Sequence, residues 1–297
     1  MFDSLPRTLD RRQLLAAGST SVAAALFTKL SVGGTAQTNS GMRLGLVTYQ
    51  WGKDMSLEEV ISSCEKSGVL GVELRTEHKH AVEPSLSKLE RTDVRKRFAD
   101  SSVELIGYGS NCEFHSDDPA KVKQNIEQAQ AYIQLMHDCG GSGVKVKPNG
   151  FPQGVAREKT IEQIGKALNE VAQYGQRYGQ KIRVEVHGSG TSELPVVRDI
   201  FKVADHPNVY VCWNSNDQDV NGEGLEANFR MVQDRLGDTV HVRELNLGDY
   251  PYEQLFKLFQ QMNYEGWILL EARTDPADKI QAMIEQRHQF EKLLQLR

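Results

Sequence analysis

The sequence predicts an α/β fold, a (β/α)8 TIM barrel forming a single domain, and three observations lead there. Eight short apolar strand candidates alternate with eight longer stretches of helical periodicity between Met42 and Arg297. No low-complexity stretch or linker interrupts them. The first strand candidate ends Val47-Thr48-Tyr49-Gln50-Trp51, without the Gly-x-Gly-x-x-Gly turn that an open doubly wound sheet usually carries there.

The amino terminus is set apart from this pattern. Asp10-Arg11-Arg12-Gln13-Leu14-Leu15 precedes an apolar, small-residue run to about Phe27, and Gly34-Thr35-Ala36 reads as a cleavage site. Residues 1–36 therefore look like a twin-arginine signal, and the expected localisation is periplasmic or secreted. The apolar run is shorter than the ~20 residues a membrane span needs and contains Ser and Thr, so no stable span is expected in the mature form. Twin-arginine export moves proteins already folded, often around a cofactor, which favours a metalloprotein. The barrel domain is expected over 37–297.

In chain order, the strand candidates are 43–48, 71–75, 103–108, 143–147, 182–187, 209–214, 240–245 and 267–271. Ser56-Leu57-Glu58-Glu59 and Thr160-Ile161-Glu162-Gln163 fit the capping box, in which a hydroxyl and a side chain three residues on satisfy two orphan amides. Asp118-Pro119 and Asp275-Pro276 place an N-cap and an N1 proline at two further helix starts. Ile161, Ile164, Leu168 and Val171 recur at helical spacing and give one face to lay on a sheet. Gly68, Gly140 and Gly179 stand where helices should end in a left-handed residue.

Composition narrows the partners. Setting aside Arg7, Arg11, Arg12 and Lys29 with Asp3 and Asp10 takes the 35 basic and 40 acidic residues to 31 and 38, a net charge near −7. No run of Lys and Arg with interleaved aromatics appears, so nucleic acid is not expected as a partner. Cys64, Cys112, Cys139 and Cys212 lack paired spacing, which argues against a zinc knuckle or a dense disulfide framework. They read as small packed residues, with one bridge open in an oxidising compartment.

The chemistry is expected at Lys181-Ile182-Arg183-Val184-Glu185-Val186-His187-Gly188. On a strand, Ile182, Val184 and Val186 share one face and Arg183, Glu185 and His187 the other. A buried strand that carries a carboxylate and an imidazole needs a partner for them, such as a metal. Barrel sites gather at the carboxyl ends of the strands, and polar residues crowd there. Glu73 and Arg75 end the second strand, Asn111 and His115 follow the third, and Lys145 and Lys147 end the fourth. Glu185 and His187 end the fifth, Asn214 and Asp217 the sixth, His241, Arg243 and Glu244 the seventh, Glu271 and Arg273 the eighth.

Four segments carry a resemblance that covers nearly all of the mature chain: Val184-Glu185-Val186-His187, Asn208-Val209-Tyr210-Val211-Cys212-Trp213-Asn214, Val240-His241-Val242-Arg243-Glu244 and Gly266-Trp267-Ile268-Leu269-Leu270-Glu271. On these the chain resembles the sugar phosphate isomerase and epimerase superfamily of xylose isomerase-like barrels, and within it the ketose 3-epimerase branch. The resemblance implies one divalent metal ion (Mn, Co, Mg or Zn) held by Glu185, Asn214, His241 and Glu271. It also implies that Glu185 and Glu271 act as the catalytic acid and base. The sixth strand departs from the family pattern of an aspartate with a histidine three residues on, having Asn214 and Asp217 instead. An amide oxygen coordinates without charge, so metal affinity should fall unless Asp217 swings in.

Such a site would polarise a ketose carbonyl and its neighbouring hydroxyl while two glutamates remove and return a carbon-bound proton through an enediolate. The expected reaction is isomerisation or epimerisation of a sugar or sugar derivative. A keto-sugar lyase or hydratase of the same superfamily is the neighbouring alternative, and a non-catalytic sugar-binding barrel is the rival suggested by Asn214 and Asp217. Arg75, Lys145, Lys147, Arg243 and Arg273 could meet a carboxylate or phosphate, while His78, His80, Asn111 and His115 suit hydroxyls. The alternative use of the cations is pairing with Glu73, Glu244 and Asp217. His187 reads as a substrate or supporting residue, and one of Tyr49, Trp51, Tyr108 and Trp213 as a sugar-stacking ring. The partner is a small-molecule sugar, and barrels of this group often pair as homo-oligomers.

Overall fold

Burial on both faces explains why the strands read as short apolar runs: each lies in one parallel sheet, wrapped by the helix that follows it. The computed structural model describes residues 41–296, so the export signal expected over 1–36 lies outside the described residues. The order is β1 (Arg43–Val47), α1 (Leu57–Ser67), β2 (Gly71–Arg75), α2 (Lys88–Ala99), β3 (Glu104–Glu113), α3 (Pro119–Cys139), β4 (Gly143–Lys147) and α4 (Arg157–Arg177). It continues with β5 (Lys181–Glu185), α5 (Leu194–Val203), β6 (Val209–Cys212), α6 (Leu225–Arg230), β7 (Thr239–Val242), α7 (Tyr252–Gln261), β8 (Trp267–Leu270) and α8 (Lys279–Leu294). No helix among the described residues is long and apolar enough to cross a membrane.

The ladder runs β6-β5-β4-β3-β2-β1-β8-β7, with β1 paired to both β2 and β8. Between β6 and β7 the ring closes through isolated bridges, one of them Asn214 to His241. There His241 N donates to Trp213 O at 2.7 Å and Ser215 N to His241 O at 3.2 Å. The barrel is thus completed by two residues expected at the site.

Period-two alternation sorts the strand side chains. Ile182, Val184 and Val186 join the large core between sheet and helices. Val47, Ile106, Trp267 and Leu269 form a separate apolar cluster inside the barrel. Inward glycines make room for large neighbours: a Cβ on Gly71 would meet the Trp267 ring, and one on Gly107 would meet Arg183 Nη1 and the Gly143 carbonyl. Arg183, fully buried, donates to Ile106 O, Ser142 Oγ and Asp238.

The capping box at Ser56 is present, Asp118 caps α3, and Gly68 and Gly140 end α1 and α3 in the left-handed region at φ 73° and 91°. Two starts differ from expectation. Helix α4 begins at Arg157 behind Ala156, so Thr160 lies in its first turn with a buried, unbonded hydroxyl rather than capping it. The preceding Arg157-Glu158-Lys159 is an exposed helical turn, which an apolar periodicity cannot register. Helix α8 is capped by Asp278, which accepts from Gln281 N at 2.9 Å. Asp275 pairs instead with Lys279 at 3.4 Å. The four cysteines are buried and free.

Candidate active site

Glu185, inward on β5 and 2% exposed, has both oxygens engaged. Oε2 accepts from Lys145 Nζ of β4 at 2.5 Å, and Oε1 from Asn214 Nδ2 at 3.0 Å. Glu271, one residue beyond β8, accepts from Arg75 Nη1 at 3.3 Å. His241 of β7 is fully buried between these carboxylates, its Nδ1 lying 4.0 Å from Glu185 Oε1 and 3.8 Å from Glu271 Oε2. On its other side Nε2 is 3.2 Å from Glu73 Oε1, too poorly aligned for a hydrogen bond. Neither ring nitrogen nor either Glu73 oxygen has a hydrogen-bond partner. One atom each of Glu185, His241 and Glu271 lies within 4.8 Å of the others, a buried Glu-His-Glu group that fits a divalent cation.

The electrostatics divides the two outer carboxylates. Burial works against the charge of Glu185, but the Lys145 ammonium, with His241 and His187, outweighs it and holds the group well below the ordinary carboxylate range. Burial and the Glu185 charge raise Glu271, only partly offset by His241, Lys145 and Arg75. Burial also opposes charge on His241, yet Cys212 and Glu73 beside it push the imidazole well above its usual value.

Above the cluster opens a cavity of about 300 Å³. The structure brings eight expected residues to its wall, Tyr49, Arg75, Lys147, Glu185, His187, Asn214, Glu271 and Arg273, and adds Gln50. Asn111 stands beside it, accepting from Lys147 Nζ at 3.2 Å. His187 is oriented through Nδ1 by Asn149 Oδ1 at 2.8 Å, a partner that sequence reasoning missed. Of the four candidate rings only Tyr49 lines the cavity, while Trp51, Tyr108 and Trp213 are buried in the core.

Other expected residues are placed elsewhere. Glu73 stands behind His241 rather than on the cavity wall. His80 is buried with Val82 N donating to Nδ1 at 3.0 Å, so Nε2 carries the proton and donates to Arg75 O at 2.8 Å. It braces the loop after β2 and does not face the cavity. His115 is likewise absent from the wall. Glu244 fixes the loop after β8, accepting from Arg273 N and from the Thr274 amide and hydroxyl.

Asp217 does not turn toward Glu185 and His241: its side chain is 86% exposed and pairs with Arg243 Nη1 at 3.2 Å, which also keeps Arg243 off the wall. The reason is the 3-10 turn over Asp217–Val220, which points Asp219 inward in its place. Asp219 accepts from Tyr250 OH at 2.6 Å and from Asn216 N at 2.9 Å. Burial pushes its carboxyl up to about 7. The three-residue spacing from Asn216 to Asp219 was the available signal.

The chain belongs to the xylose isomerase-like TIM barrel family, whose model matches residues 61–292. An inosose dehydratase from Clostridium perfringens is 21% identical over 279 residues, spanning 80% of this chain and 92% of that protein. Among solved structures, L-ribulose 3-epimerase superposes with a TM-score of 0.74 at 16% identity, covering 85% of this chain and 94% of the other. The IolI protein with a bound zinc atom gives 0.73 at 15% identity, covering 85% and 98%. At these identities the superpositions establish the shared fold.

Proposed function

We propose that this protein is a metal-dependent isomerase or epimerase acting on a sugar or sugar derivative by moving a proton at the carbon next to a carbonyl. The observation that carries the reading is the buried Glu185, His241 and Glu271 group at the base of a polar cavity on the carboxyl-end face of the barrel. His241 Nδ1 is the structural reason to place a cation there: it is buried, unpartnered and faces two carboxylates. Asn214 is the fourth ligand in this reading, through its amide oxygen. When bound, a divalent cation supplies Lewis-acid polarisation of a carbonyl and its neighbouring hydroxyl. Manganese, cobalt, magnesium and zinc all suit this oxygen-rich donor set.

Glu185 and Glu271 take and return the proton, one from β5 and one from β8. Lys145 fixes the orientation of Glu185, and Arg75 that of Glu271. Arg75, Lys147, His187 and Arg273, with Tyr49 and Gln50, hold the substrate. Incubating candidate ketoses and keto-glycosides with the metal-loaded protein in deuterated water tests this. Deuterium should enter at the carbon next to the carbonyl, and Glu185→Gln and Glu271→Gln should each slow entry about 10²–10⁴-fold. Full exchange in both variants would contradict the assignment.

A dehydratase reading is favoured by the inosose dehydratase relatives and shares the same first step. It predicts loss of water and an unsaturated product in the same assay, whereas the main reading predicts an isomeric sugar of unchanged mass apart from deuterium. Export by the twin-arginine route is proposed from Arg11 and Arg12 and the apolar run behind them. Fractionation of a producing cell tests it, a processed form outside the cytoplasm being expected and an unprocessed cytoplasmic form contradicting it.

A further inference from the structure

The mouth of the cavity carries more positive charge than the protein's own carboxylates neutralise. Arg75, Lys147 and Arg273 all line it. Arg75 gives Nη1 to Glu271, but its Nε is buried with no partner. Lys147 Nζ reaches a neutral acceptor, the Asn111 amide oxygen. The Arg273 side chain makes no hydrogen bond or ion pair among the described residues. Of the two carboxylates on the wall, Glu185 is already matched from beneath by Lys145. A divalent cation at Glu185, His241 and Glu271 would add two more positive charges a few ångströms away. Arg75 is largely buried, Lys147 half-buried and Arg273 exposed, and an anion arriving with the substrate would offset their like charge.

Two further features choose between anions. Phosphate sites on barrels of this kind use free backbone amides in the loops after the last two strands and at a helix amino terminus. In the loop after β8 the Arg273 and Thr274 amides are taken by Glu244, and at the start of α8 the Asp278 carboxylate accepts from Gln281 N. The rim presents two guanidinium groups and an ammonium around a cavity of about 300 Å³, at the small end of ligand pockets and suited to a single sugar unit. Planar guanidinium forks match carboxylate and phosphate alike, so it is the occupied amides after β8 that favour a carboxylate.

We infer that the substrate is an acidic monosaccharide, a sugar bearing a carboxylate that Arg75, Lys147 and Arg273 receive. The inference rests on the proposed sugar-binding role of this cavity and deepens it.

The test is calorimetric titration of the full chain after metal removal, so that a carboxylate cannot bind through the ion. The probes are D-glucuronate, D-glucose and D-glucose 6-phosphate at equal ionic strength. D-Glucuronate should bind at least about tenfold more tightly than D-glucose. Lys147→Met and Arg273→Met, both at solvent-accessible positions outside any internal ion pair, should each remove most of that preference, read as the ratio of D-glucuronate to D-glucose affinity on the same variant, with the melting temperature unchanged. Absence of D-glucuronate binding, equal binding of D-glucose, or tighter binding of D-glucose 6-phosphate would overturn the inference. If a neutral ketose exchanged deuterium while D-glucuronate showed no preference, the acidic-substrate inference would fall and the proposed reaction would stand. A preference for D-glucuronate with no deuterium exchange into acidic or neutral keto-sugars by the metal-loaded protein would overturn the reaction and leave the inference in place.

Discussion

At Glu185 a single alternation decides which way the carboxylate faces. The sequence Lys181-Ile182-Arg183-Val184-Glu185 sends Glu185 inward, and that much is legible from a period of two. Its partners are not, because Lys145 and Asn214 lie on neighbouring strands and the register between strands is not written in either segment. Asp217 and Asp219 show the same limit within a turn. Both are acidic and two residues apart, and only the phase of the 3-10 turn makes one exposed and the other fully buried. A prediction follows for Asp219. Its folded-state carboxyl is raised to about 7, above the unfolded value near 4, so the folded protein holds a proton that the unfolded chain releases. The stability from this group is present below pH ~4 and is lost as pH rises toward ~7. Asp219→Asn keeps acceptors for Tyr250 OH and Asn216 N and removes the buried charge. Its unfolding free energy should therefore gain on the parent between pH 4 and 7 and hold a constant lead above, as read by urea denaturation. An offset independent of pH would contradict this account.

Among the elements, helix starts were legible where a short side chain caps, as at Ser56 and Asp118. The start of α4 was not, because Ala156 carries no capping oxygen and the first turn is polar all round. Ser87 and Glu90 form a capping box at α2 with the same spacing as Ser56 and Glu59. Strands β5 to β8 stop earlier than their apolar runs suggested, since His187, Asn214 and Glu271 leave the ladder to enter the site. Strand β3 runs longer, to Glu113, and its register against β2 shifts near Gly107. At Gly107 the Arg183 guanidinium and the Gly143 carbonyl occupy the space of a Cβ. Gly107→Ala should destabilise the protein by about 1–3 kcal/mol through overpacking. A lowered denaturation midpoint at unchanged slope would show it, and an unchanged midpoint would mean that Arg183 moves aside at no cost.

For the molecule as a whole, the barrel was legible because strand and helix periods alternate eight times, and the site because polar residues collect at one end of those strands. The closure was not legible. Strands β6 and β7 share no ladder, and the bridge between Asn214 and His241 both completes the ring and sets two of the four proposed ligands side by side. Barrel closure and the proposed metal site therefore share the same pair of residues. The metal is the center of the functional account, and elemental analysis of the purified protein beside its His241→Ala variant tests it most directly. About one divalent ion per chain in the parent, clearly reduced in His241→Ala, is the predicted result. A parent without metal, even after incubation with manganese, cobalt, zinc or magnesium, would contradict it.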